Sequence, residues 1–100
     1  MLDNCYKVKK ITYKQHCRCF CPIGQRHYTN NFTVTISPEE TIPDYCEIDQ
    51  WIAKNLEGET LLIEDAARLL QQWLETELSC GVSVLDEVSD AGHGAVTVEV

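Results

Sequence analysis

One hundred residues with 44% apolar side chains make a single small domain, residues 1–100, with enough for a core and too little chain to cover all of its sheet surface. No stretch approaches the roughly 20 apolar residues of a membrane helix. No apolar run bounded by a cleavage site opens the chain, so the expectation is a soluble cytoplasmic protein with reduced cysteines. The net charge of −8 argues against a general nucleic-acid binder. It is unevenly spread: residues 1–30 carry six basic side chains against Asp3, and residues 31–100 carry Lys54 and Arg68 against fifteen acids.

Residues 5–20 alternate mildly, with Val8, Ile11 and Tyr13 among lysines and threonines. They predict a polar first strand, bulged near Lys9-Lys10. Strand parity puts Cys17, Cys19 and Cys21 on one face and His16, Arg18 and Phe20 on the other. A loop is expected over Pro22–Asn31, tightened at Gly24. Phe32, Val34 and Ile36 alternate with Thr33 and Thr35 as a second strand, antiparallel to the first.

Asp44 is placed to cap a helix, with Glu47 three residues on to reach back. Tyr45, Ile48, Ile52 and Leu56 share its apolar face, Trp51 lies beside them, and Gly58 ends it. Thr60 is the expected cap of a second helix with apolar positions Leu62, Ile63, Ala66, Leu69, Leu70, Trp73, Leu74 and Leu78; Gly81 is expected to stop it. Both tryptophans read as core residues. Val82–Leu85 and Ala95–Val100 are the last strands, with Ser89–Gly94 as the turn and His93 exposed in it. The order ββααββ gives an α+β fold, an antiparallel sheet with two helices on one face. Its free strand edges predict a homo-oligomer.

The chemistry concentrates in His16–His27, which holds three of the six cysteines and two of the three histidines. Cys21 is the candidate nucleophile, since a thiolate attacks electrophilic carbon and is favoured by cationic neighbours. Arg18, Arg26 and His27 are the candidates for that neighbour. His27 is also a candidate general acid or base, because imidazole exchanges protons near neutral pH. A metal set would draw on His16, Cys19 and His27, although no Cys-x-x-Cys pair marks a zinc ribbon. The plainer alternatives are buried thiols acting as small apolar residues, exposed loop histidines, or a disulfide framework of the six cysteines.

The element order resembles that of the tunnelling-fold enzymes, whose ββααββ units join sheets into oligomeric barrels with active sites between subunits and which act on pterins and deazapurines. Cys21-Pro22-Ile23-Gly24-Gln25 resembles the cysteine loop of the 7-cyano-7-deazaguanine reductases, and Ile63-Glu64-Asp65 resembles their His-Glu-Asp motif. The resemblance implies that Cys21 attacks a nitrile to form a thioimide and that Glu64 holds the base, a task suited to a carboxylate accepting two N–H groups. Gln25 and Arg26 would be substrate contacts. The loop is one residue shorter than in that family, Arg26 or His27 stands where its catalytic aspartate would be, and its NADPH motif has no counterpart beyond Glu47. That places the chain nearer the compact relatives of the queuosine and archaeosine pathways that add ammonia to the nitrile; no cofactor is expected. Two other readings stay open. His16 and Gly24-Gln25-Arg26-His27 resemble part of the zinc site of the 6-pyruvoyl-tetrahydropterin synthases, which would make zinc a cofactor and a pterin the ligand. A non-catalytic oligomeric binding module would keep the fold without the chemistry.

Overall fold

The computed structural model covers all 100 residues, Met1–Val100. The elements run β1 (Leu2–Asp3), β2 (Ile11–Cys21), β3 (Arg26–Ser37), β4 (Thr41–Ile42), α1 (Tyr45–Asn55), α2 (Ile63–Leu78), β5 (Gly81–Val88) and β6 (Val96–Glu99). The four long strands form one antiparallel sheet in the order β2-β3-β5-β6, while β1 and β4 pair as a separate ladder. The expected ββααββ order therefore stands, with one short pair added.

Strand parity sets the core. Cys17 and Cys19 of β2, Tyr28, Phe32, Val34 and Ile36 of β3, and Val82, Val84 and Val88 of β5 turn inward. They meet Ile48, Ile52 and Leu56 from the first helical segment and Ala66, Ala67, Leu70, Leu74 and Leu78 of α2. Each fully buried Leu or Ile contributes about 1.5–3 kcal/mol. The other sheet face carries Lys14, His16, Arg18, His27 and Glu87, all exposed. The two tryptophans stack across the helix pair at 4.8 Å and 9° between planes, half-buried at its margin.

Several boundaries differ from the sequence reading, each for a local reason. The first strand begins at Ile11, because the Asn4 side chain captures both the N–H and the C=O of Val8 (2.8 and 3.1 Å) and Lys7 takes φ +55°. A side chain that bonds nearby backbone competes with the ladder. The loop after Cys21 spans only residues 22–25, and β3 opens at Arg26. Its early inward positions are Tyr28 and the polar Asn30, which hide the alternation.

Asp44 caps α1 by accepting the Cys46 N–H (3.0 Å), but Glu47 does not reach back; its carboxylate meets the Met1 amino group at 3.4 Å. Gly58, at φ +77°, follows α1 as expected. Thr60 does not cap α2: it bridges in parallel to Phe20, and Leu62 occupies the cap position with no side-chain bond. Nor does Gly81 stop α2. Ser79 does, in the left-handed conformation (φ 50°), and Gly81 opens β5.

A candidate active site between the first hairpin and the second helix

The backbone brings the nucleophile loop to the start of α2. Beyond α1 the chain straps along the outer edge of β2: Gly58 N–H donates to Arg18 O (2.7 Å), Phe20 N–H to Glu59 O (2.9 Å) and Leu61 N–H to Phe20 O (3.0 Å). The buried Tyr28 hydroxyl donates to Leu61 O from the other side. Burial first, then the charges of Cys19 and Asp86, push the Tyr28 phenol well above its ordinary value, so it keeps the proton it donates. Leu61 is thus held at both its N–H and its C=O, next to Leu62, Ile63 and Glu64.

A cleft of about 260 Å³ opens there, lined by Cys21, Ile23, Gly24, Leu62, Ile63, Glu64, Ala91, His93 and Val96. Its volume lies near the lower end of small-ligand sites, roughly 300 Å³ upward. Ile23, 80% exposed, and Leu62 give it an apolar rim. Glu64 stands in the first turn of α2, whose leading N–H groups no side chain caps, so the helix dipole favours negative charge at this mouth. Gly24 N–H donates to Cys21 Sγ (3.3 Å), aiming a backbone dipole at the sulfur.

The predicted site residues separate by strand parity. Cys21 pairs with Arg26, so the two share the inner face; Arg26 then runs beside Gly24 toward the β5–β6 loop. Gln25 takes φ +55°, and its side chain donates to Pro22 O (2.7 Å), closing the turn rather than entering the cleft. His27 pairs with Phe20 on the opposite face and packs edge-on against its ring, so it does not share the cleft with Cys21. Arg18 lies on that opposite face as well, its N–H bonded to the Glu57 carboxylate (2.9 Å).

The metal candidates do not converge either. Cys19 is buried beneath the helices and donates to Leu56 O (3.2 Å), while His16 and His27 face the other way, roughly 13 Å apart along the strand. No group of three or more His, Cys, Asp or Glu side chains is placed to hold a metal ion. His16 instead lines a polar concavity of about 290 Å³ on the open sheet face with Lys14, Gln15, Asn31 and Glu87. All six cysteines are free.

Sequence reasoning missed two groups. His93, read as a plain exposed turn residue, is exposed but lines the cleft. The signal available was Ala91, an apolar residue inside a polar turn, which is buried and draws the loop inward. Asp86 is fully buried at an inward position of β5, where the parity of Val82, Val84 and Val88 already pointed. Burial pushes its carboxyl up to about 7, against the Asn31 N–H that donates to it (3.2 Å), and the charge of Glu64 adds to the rise.

No family model and no curated protein matches the sequence. The crystal structure of the archaeosine synthase QueF-Like in the apo form does match the fold, with a TM-score of 0.78 over 92% of this chain and 93% of that chain, at 17% sequence identity. The chain has the tunnelling fold. Its ββααββ unit, antiparallel sheet and helix pair are those of the tunnelling fold along nearly the whole chain. Within the tunnelling fold seen here, the two loops singled out by residue resemblance, the Cys21 loop and the Ile63-Glu64-Asp65 turn, are the two walls of one cleft.

Proposed function

We propose that this chain is a cytoplasmic, homo-oligomeric tunnelling-fold enzyme acting on a deazapurine that carries a nitrile, of the 7-cyano-7-deazaguanine kind. Cys21 is the nucleophile and Glu64 holds the N–H edge of the base. The observation that carries this reading is the meeting of Cys21 and Glu64 in one apolar-rimmed cleft, although helix α1 and the whole of β3 separate them in the chain. A flat bicyclic base would lie against Ile23 and Leu62, with its donors toward Glu64. The S–H bond adds across the C≡N bond: sulfur bonds to carbon, a π pair moves to nitrogen, and nitrogen takes a proton. Nothing leaves and nothing is reduced, so the thioimide forms without NADPH. Ammonia attacking that carbon would expel the thiol and leave an amidine.

Intact-protein mass spectrometry with 7-cyano-7-deazaguanine tests the reading. The wild type should gain the mass of one ligand without any reductant, Cys21→Ala should not, and Cys17→Ala and Cys19→Ala should still do so. Glu64→Gln should first weaken binding, as an acceptor pair is replaced by an amide. Binding without a mass increase would sink the covalent mechanism and leave a binding module.

A further inference from the structure

We propose that His93 is a catalytic residue of this cleft, delivering from its imidazolium the proton that the nitrile nitrogen takes as Cys21 Sγ bonds to the carbon. The proposal rests on the reading of Cys21 as a nucleophile toward a carbon–nitrogen triple bond. That addition needs a proton at nitrogen, and the cleft walls offer few sources. Glu64 is committed to the base, Tyr28 spends its proton on Leu61 O, and His27 lies on the far face of the sheet. The titratable and charged groups bordering the space are Cys21 on β2, Arg26 on β3, Glu64 on α2 and His93 itself.

The loop that carries His93 is built to hold it. Asp90 accepts the Thr29 N–H (2.8 Å), a bond that keeps its carboxyl below the usual range. Ala91 is buried in the core. Gly92 takes φ +85°, and a Cβ there would fall 1.8 Å from the Arg26 guanidinium, so Arg26 from the nucleophile hairpin lies directly over this backbone. Three successive anchored residues thus precede His93. The ring is then oriented by its own neighbour, Nδ1 lying 2.8 Å from Gly94 O. With Nδ1–H donating to that carbonyl, Nε2 is the nitrogen left to exchange a proton in the cleft. The imidazole takes the Cys21 S–H proton as the thiolate forms, and the resulting imidazolium hands it to the nitrile nitrogen, which balances the addition and leaves the ring neutral for the next cycle.

The test compares two reagents on the full chain. 2-Cyanopyrimidine adds a thiol across a nitrile and needs the proton; iodoacetamide alkylates a thiol with loss of iodide and does not. Adducts at Cys21 are followed by peptide mass mapping. His93→Gln should slow the 2-cyanopyrimidine addition by roughly 10²-fold or more while alkylation changes by less than about twofold. Added imidazole should restore the nitrile addition in His93→Ala. An unchanged nitrile rate, an equal fall of both reactions, or no adduct at Cys21 of the wild type would overturn the proposal. Failure of 7-cyano-7-deazaguanine to react, beside a His93-dependent reaction with 2-cyanopyrimidine, would instead overturn the deazapurine reading and leave His93 in its role.

Discussion

Asp86 turns a carboxyl into the core, where Oδ1 accepts the Asn31 N–H and Oδ2 has no partner. An ionised carboxylate there would be costly, so the folded chain keeps a proton that the unfolded chain gives up. The folded value is about 7 against an ordinary 3.8. Between those values the native state binds more protons than the unfolded state, so stability falls as pH rises from about 4 to about 7 and is level above. Asp86→Asn keeps an acceptor for Asn31 and removes the titration. Urea denaturation should show it more stable than wild type at pH 8, by on the order of 1–3 kcal/mol, with the gap closing toward pH 4. A gap that stays constant with pH would assign the effect to packing.

At the scale of elements, the cleft depends on how the strap of residues 57–61 meets the sheet. Tyr28→Phe should leave Leu61 O buried and unpaired, costing about 1–3 kcal/mol, and should loosen the start of α2. Thermal melts report the first effect; weakened ligand binding with the Cys21 alkylation rate unchanged reports the second. The strap was not legible in the sequence. Thr60 precedes an apolar run and reads as a cap, but its backbone is drawn into a bridge with Phe20, a long-range pairing that no local pattern records. The hairpin, the helix pair and the inward thiols were legible, because period 2 and period 3.6 show wherever inward residues are apolar. They failed to show at Asn30 and Asp86, where a buried position holds a polar side chain.

For the whole molecule, the sheet ends on two edges. The strap covers the outer side of β2 only from Arg18 to Phe20, so the outer side of Ile11–Cys17 has no partner strand; β6 is likewise open on its outer side. Lys14 stands at one edge and Glu99 at the other, so a head-to-tail contact would set opposite charges near each other. Light scattering at micromolar concentration should give a homo-oligomer. Alternation from Arg18 and Phe20 turns the Lys14 N–H outward, away from β3. Lys14→Pro should therefore leave the β2–β3 ladder intact and reduce the assembly to monomers with an unchanged far-UV spectrum. A wild-type monomer would count against strand addition.

The bonds that fix the strap to β2 come from main-chain atoms at Arg18, Phe20, Gly58, Glu59 and Leu61. Such bonds do not read side chains: apart from Gly58, whose φ of +77° favours glycine, any residue except proline can donate at positions 20 and 61, and any residue at all can accept at 18 and 59. Substitutions can therefore accumulate around this clamp while the spacing between the thiol and the carboxylate is inherited unchanged. A lineage could drift far in sequence, exchange one proton donor for another and alter the rim of its cleft, while the backbone kept returning the same two walls to the same distance.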